Sequence, residues 1–308
     1  MVDMDTFLTI LYVMIDDFCK SELESERRPG PRASLSRSKV VTLAIFGQWA
    51  RFGSERGFYR LADKRLRGAF PTLPHRTQLN RLMRRHHQAI VAFSLYVVQQ
   101  LQARQCLYEV LDSAGVPVRN LKRRGAGWLA GQADMGYCGR LGWFEGFQLM
   151  IATNPLGVIT GFGVGPASTR EILLADTFLA ARHSAHARLS TVGKPAWGPY
   201  VADKGFTGRA AHRRWLLAYG AQFVTAPYAN SRAAWPRDLR RWLAGIRQII
   251  ESVYDKLLNT FRLSTERPHD LSGFQARLAA KVALHNFSIW LNRQLDRPLL
   301  AFADLLSW

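Results

Sequence analysis

The 308-residue chain has only three cysteines, Cys19, Cys106 and Cys138, an odd number too widely spaced for a disulfide framework or a Cys-x-x-Cys zinc site. They are expected to be reduced and structural. No apolar run approaches the roughly 20 residues of a membrane span. The chain opens Met1-Val2-Asp3-Met4-Asp5, acidic where a signal or transit peptide is basic. A membrane role is therefore not expected, and cytoplasmic residence is. Internal repeats are lacking, and acids are scarce: 23 Asp and Glu face 42 Lys and Arg, leaving a net charge of +19. A field of that sign attracts polyanions, with nucleic acid foremost.

What is abundant is arginine, since only eight of the 42 bases are lysine. Arg pairs bidentately with phosphate and with guanine edges; a GC-rich genome would also enrich it. Residues 1–26 carry a charge of −6, residues 27–100 carry +13 and residues 101–308 carry +12. The positive region begins at Arg27-Arg28-Pro29-Gly30-Pro31-Arg32, which predicts an extended basic connector between helices.

Length gives a prior of roughly two domains. From Ser36 to about Gln102 apolar residues recur at helical spacing, predicting a helical domain over 1–103. Within it, residues 73–85 read as a turn feeding an amphipathic helix whose polar face carries Arg76, Arg81, Arg84 and Arg85. These could contact DNA in a groove, or the helix could be an ordinary surface helix of a basic protein.

The pattern changes after Arg104. Cys106 to Asp112 reads as a buried strand ending in a carboxylate, and Arg119 to Gly142, with Lys122-Arg123-Arg124-Gly125, reads as a long basic loop. Phe144–Thr153 and Val158–Val164 form a hairpin about the Asn154-Pro155-Leu156-Gly157 turn. A helix over Thr169–His183, a strand Tyr200–Asp203, a helix Thr207–Tyr219 and a strand Gln222–Thr225 follow. Two long helices, Leu239–Arg262 and Leu271–Leu295, close the chain. The expectation is an α+β or α/β architecture over 104–308, a mixed sheet flanked by helices.

Asp112 and Asp203 stand at predicted strand ends, where α/β folds place reactive groups. Glu251 lies one helical turn after Arg247. Grouped carboxylates raise each other's pKa unless a cation neutralises them, and oxygen-only ligands select Mg²⁺, with Mn²⁺ as a substitute. Two such ions roughly 3.5–4 Å apart can promote in-line attack on phosphorus. Each residue also has a plain structural explanation. The aspartates could be turn formers or helix caps, and Arg247 with Glu251 a local salt bridge. Asp134, Glu145, Glu171, Asp176 and Asp255 compete for a place in any cluster. Trp235 and Trp242 are expected to pack in a core rather than to act.

Leu111-Asp112-Ser113, Gly136-Tyr137-Cys138, Gly146-Phe147-Gln148-Leu149, Ala202-Asp203-Lys204-Gly205-Phe206 and Arg247-Gln248-Ile249-Ile250-Glu251-Ser252-Val253-Tyr254 together resemble the motifs of bacterial insertion-sequence DDE transposases. Their order and spacing are similar to the insertion sequence 982 group, which is related to the insertion-sequence-four superfamily. The resemblance implies an RNase H-like catalytic core over 104–308, following the helical, basic DNA-binding domain. It also implies that Asp112, Asp203 and Glu251 form the triad holding two Mg²⁺ ions. Such an enzyme nicks element ends at their terminal inverted repeats and joins the freed 3′-hydroxyls to target double-stranded DNA. It acts as a homodimer or higher oligomer, nucleoid-associated in a bacterial cytoplasm. Arg247 would contact phosphate or orient Glu251, and Lys204 would lie beside the substrate strand. Two positions depart from the family pattern: Gln148 and Met150 replace a cation and an imidazole. Ala244 and Leu258 stand where the insertion-sequence-four signature has Tyr and Lys. The alternatives are an RNase H-like nuclease without strand transfer and a catalytically inactive, transposase-derived DNA-binding protein.

Overall fold

A computed structural model describes residues 1–24, 33–49, 51–119, 129, 131–183, 193–228 and 235–308. The basic connector at 27–32 and the Lys122–Gly125 run lie outside the described residues. Along the chain, strand β1 (Val2–Asp3) leads into helix α1 (Met4–Ser21), whose cap is Asp3, accepting from the Thr6 backbone N–H at 2.9 Å. Helices α2 (Arg37–Phe46), α3 (Glu55–Arg65), α4 (Arg76–Arg85) and α5 (His87–Gln100) follow. Ser36 and Ser54 cap α2 and α3 in the same way. Next come β2 (Glu109–Pro117), β3 (Asp134–Cys138), β4 (Gly142–Thr153) and β5 (Ile159–Pro166). Helix α6 (Glu171–His183), β6 (Tyr200–Ala202), α7 (Arg209–Tyr219), β7 (Phe223–Thr225) and α8 (Arg237–Asp255) alternate after them. The chain ends in α9 (Leu271–Gln294) and β8 (Leu306–Ser307).

Two compact units emerge, Met1–Val97 with Asp270–Trp308, and Val98–His269. The first is helical. The sequence kept the last helix with residues 104–308, whereas α9 packs in the amino-terminal unit. It is buried around most of its circumference, polar Lys281, His285, Asn286, Ser288 and Asn292 included, and Phe287 meets Phe7 of α1 edge-on at 5.3 Å. Asp270 caps α9 through the Gly273 N–H at 2.6 Å and pairs with Arg84 of α4 at 2.8 Å. Parallel pairing of β1 with β8 joins the two ends of the chain.

The second unit is built on one six-stranded sheet in the order β3-β4-β2-β6-β7, with β5 also on β4. β2, β4 and β5 run antiparallel to their neighbours, and β2, β6 and β7 run parallel. Three antiparallel strands continued by two parallel ones, with helices on the sheet, are the RNase H-like arrangement. One sheet face buries Leu111, Met150 and Ala152 against Leu174 and Phe178 of α6 and Trp215 of α7.

Two local expectations change. The stretch expected as a loop to Gly142 contains β3, which pairs with the first residues of β4 across a tight turn closed by Gly142 at φ +68°. β2 does not end at Asp112. It continues to Pro117 because β4 pairs with it that far, while the parallel partner β6 stops earlier.

Buried beneath this sheet edge is an ion pair. Glu109, first in β2, accepts from Arg182 of α6 at 3.0 and 3.1 Å, and both side chains are essentially inaccessible. The same guanidinium donates to the carbonyls of Gly193 at 3.0 Å and Lys194 at 2.8 Å. Its donors are used, which is the condition for a buried charge to be tolerable. It fixes α6 to β2 three residues before Asp112.

Candidate active site

The parallel register of β2 and β6 pairs Glu109 with Tyr200, Val110 with Val201 and Leu111 with Ala202, and ends there. Asp112 and Asp203 are the next residue on each strand. Two carboxylates from segments about ninety positions apart in sequence are thus neighbours where the parallel pairing of β2 and β6 stops, β2 itself running on against β4 to Pro117. Side chains alternate along β2, so Leu111 and Ser113 face α6, and Asp112 faces the opposite side.

Asp203 leaves β6 extended and caps a single 3-10 turn, Lys204–Phe206, by accepting from the Gly205 N–H at 2.6 Å. Phe206 is fully buried and anchors the turn. Glycine at 205 leaves room for the Glu171 carboxylate, which a Cβ there would push aside while crowding Asp203. This accounts for the Asp-Lys-Gly-Phe order: capping acid, exposed cation, close approach, buried anchor.

Helix α8 covers the Asp112 side. Arg247 donates to Asp112 Oδ2 at 3.3 Å, so its partner is the distant aspartate rather than Glu251. One nitrogen of that guanidinium, Nε, is buried without a hydrogen-bond partner. Two turns on, the Tyr254 hydroxyl donates to the backbone carbonyls of Asp112 at 2.8 Å and Leu149 at 3.0 Å, locking α8 onto β2 and β4. Burial raises the Tyr254 hydroxyl well above its ordinary pKa, so it remains a donor. Glu251 lies between these two residues on the helix, solvent-exposed. Among the described residues it makes no hydrogen bond or ion pair with either aspartate.

A different carboxylate reaches the pair from the other face. Glu171, the first residue of α6, accepts from the Ser113 hydroxyl at 2.7 Å, and Gln148 donates to that hydroxyl oxygen at 2.9 Å. Burial pushes the Asp112 carboxyl up to about 6; Arg247 and the Ser113 N–H oppose the shift, while Asp203 and Glu171 add to it. Glu171 is also raised, by burial first and by Asp203, against the Ser113 hydrogen bond. The structure therefore brings together Asp112, Asp203, Glu171 and Arg247. Sequence reasoning had Glu171 only among the competing acids, because an acid in a helix's first turn needs no further explanation. Its signal was the short link from β5, which returns α6 over the strand that carries Asp112.

Among the described residues no three Asp, Glu, His or Cys side chains form a group that could hold a metal ion. Gln148 belongs to the carboxylate network, whereas Met150 is buried in the core beneath it. In the helical unit, Arg81 and Arg85 of α4 are exposed, Arg76 is half-buried and Arg84 is engaged by Asp270. Lys204 is exposed on its turn. Trp242 is 58% exposed, against the expectation that it packs in a core. No helix among the described residues is long and apolar enough to cross a membrane.

A family model described as the transposase DDE domain matches residues 110–287. No curated protein matches the sequence. Among solved structures, a Mos1 transposase paired-end complex with the left transposon end is 9% identical and has a TM-score of 0.23. That match covers 82% of this chain and 87% of the other. The Mos1 strand transfer complex is 11% identical, with 88% and 83% covered and a TM-score of 0.24. Likenesses this weak add nothing to what the strand order already shows.

Proposed function

The chain belongs to the transposase DDE domain family, and from that premise we propose that it is a DNA transposase of the insertion-sequence kind, akin to the insertion sequence 982 group. It nicks element ends and joins their 3′-hydroxyls to target DNA. The observation that carries the reading is the register of β2 and β6, which makes Asp112 and Asp203 neighbours just past the last parallel pair.

The donor set fits a hard divalent cation. Asp112 and Asp203 offer only oxygen, and the upward shift of Asp112 reflects burial and like charge that a cation would relieve. Asp112, Asp203 and Glu251 would hold Mg²⁺, or Mn²⁺ in its place, with Glu171 a further carboxylate beside them. When bound, the metal supplies positive charge to the attacking and leaving oxygens of the phosphodiester. Arg247 neutralises Asp112 in the absence of the ion, and the part of its side chain that remains exposed meets a DNA phosphate. Tyr254 holds the strand that carries Asp112 in place. Lys204, on the exposed side of the Asp203 turn, lies along the substrate strand.

DNA is held outside the site by the helical, basic amino-terminal domain, where Arg76, Arg81, Arg84 and Arg85 of α4 supply phosphate or base contacts. Joining two ends to one target requires at least two active sites, hence a homodimer or larger assembly on DNA. A labelled element-end duplex incubated with Mg²⁺ and a target plasmid tests the reading. The wild type yields nicked and joined products, and Asp203→Asn yields neither. Glu251→Gln and Glu171→Gln, run alongside, separate an essential third carboxylate from an auxiliary one. Cleavage that survives Asp203→Asn contradicts the proposal, and cleavage without joining makes the protein a nuclease.

A further inference from the structure

We propose that the groove beside the β3–β4 hairpin seats unpaired nucleotides next to the carboxylate site, with their bases stacked on Tyr137 and Trp143. The inference deepens the reading of the chain as a DNA-acting enzyme and rests on it. β3 and β4 pair Tyr137 with Trp143 and Met135 with Glu145, so these side chains share one face of the ribbon. Met135, Tyr137 and Trp143 are 45%, 66% and 66% exposed, while Gly136 and Phe144 between them turn inward. The two rings lie 5.7 Å apart at 64°, leaving ring faces open to solvent. Three large side chains exposed together on a two-stranded ribbon mark a contact surface rather than chance exposure.

The groove itself points to the occupant. It is lined by Ser113, Gln148 and Glu171, of which Glu171 interacts with Asp112 and Asp203, and also by Tyr137, Trp143, Arg140 and Arg170. Arg140 donates to the Gly115 carbonyl at 2.9 Å, which ties the hairpin tip to β2 and sets a cation beside the rings. Cations with exposed aromatic faces suit a strand of phosphates and bases, since every base has a face that stacks whatever its sequence. Paired bases have that face covered by their neighbours in the duplex. The ligand is therefore single-stranded, an unpaired segment bordering the phosphodiester that reacts.

The test uses the full chain without divalent metal, so that nothing is cut, and two fluorescent probes. One is a blunt duplex; the other is the same duplex with a short single-stranded extension carrying 2-aminopurine. The wild type is expected to prefer the extended probe and to quench its emission by stacking. Tyr137→Ala and Trp143→Ala should each cut that preference by about fivefold or more and restore emission, and Trp143→Phe should retain most of both. Melting curves confirm that the variants are folded, as expected for side chains on the surface. Equal binding of the two probes, or a preference untouched by both alanine variants, overturns the inference. So does a self-association that the alanine variants abolish while the preference stays, which would make the face a contact between copies of the chain. The parent reading has its own arm: Asp203-dependent cleavage with no preference between probes keeps the transposase and rejects the groove. Stacking without Asp203-dependent cleavage does the reverse, and failure to bind either probe rejects both.

Discussion

Replacing Asp112 with Asn should make the protein more stable and inactive. In the folded chain burial raises this carboxyl from 3.8 to about 6, a shift of roughly two units, worth about 3 kcal/mol at 1.36 kcal/mol each. The folded pKa lies above the unfolded one. Well below the unfolded value of 3.8 both states are protonated and the group costs nothing. As pH rises from about 4 through 6 the unfolded chain ionises first, and stability is lost until both states are charged. Asparagine never charges, and the folded value of about 6 already contains the opposing pull of Arg247, so the lost ion pair needs no separate subtraction. The gain for Asp112→Asn at pH 8 is therefore about 3 kcal/mol, or several degrees of melting temperature for a unit of this size. Thermal melts in chelator at pH 4 and pH 8 measure it directly: little difference at the lower pH, the variant clearly higher at the upper. Mg²⁺ should then raise the wild-type melting temperature and leave the variant nearly unchanged. A variant less stable than wild type at pH 8, or an advantage that does not depend on pH, refutes the reasoning.

Gly205→Ala forces a methyl group into the Glu171 carboxylate. It should abolish strand cleavage while circular dichroism keeps the native helix and sheet content. Arg247→Ala removes a phosphate contact, so the slope of log affinity against log salt should fall by about one in a DNA titration; an unchanged slope places Arg247 off the DNA. Arg182→Met leaves Glu109 buried and unpaired, which should cost about 3–5 kcal/mol in urea denaturation. Adding Glu109→Leu should recover most of that loss, and an additive second loss would contradict the buried-pair account.

Much of this fold was legible in the sequence because the apolar runs carry it. Tyr200–Asp203 read as a buried strand ending at a carboxylate, Cys106–Asp112 located the strand through Asp112 though β2 spans Glu109–Pro117 and leaves Leu107 exposed, and the helix bearing Arg247 and Glu251 showed its apolar face. Periodicity says nothing of which strands pair, so the adjacency of Asp112 and Asp203 appeared only with the register. β3 was missed because Asp134-Met135-Gly136-Tyr137-Cys138 turns its large side chains outward, the reverse of a core strand. The packing of α9 was hidden because polar Lys281, His285, Asn286 and Asn292 interrupt its apolar residues, so the sequence shows neither how fully it is buried nor against which helices. Glu171 stayed one competing acid among several because its hydrogen-bond partner Ser113 lies far away in sequence.

The most direct test of the account is the fate of a labelled element-end duplex mixed with target plasmid and Mg²⁺, comparing wild type with Asp112→Asn and Asp203→Asn. The account predicts nicked ends covalently joined to plasmid with the wild type and no product with either variant, although both still bind the duplex. Joined product from either variant, or none from the wild type, would contradict a catalytic site built on Asp112 and Asp203, where the parallel pairing of β2 and β6 stops.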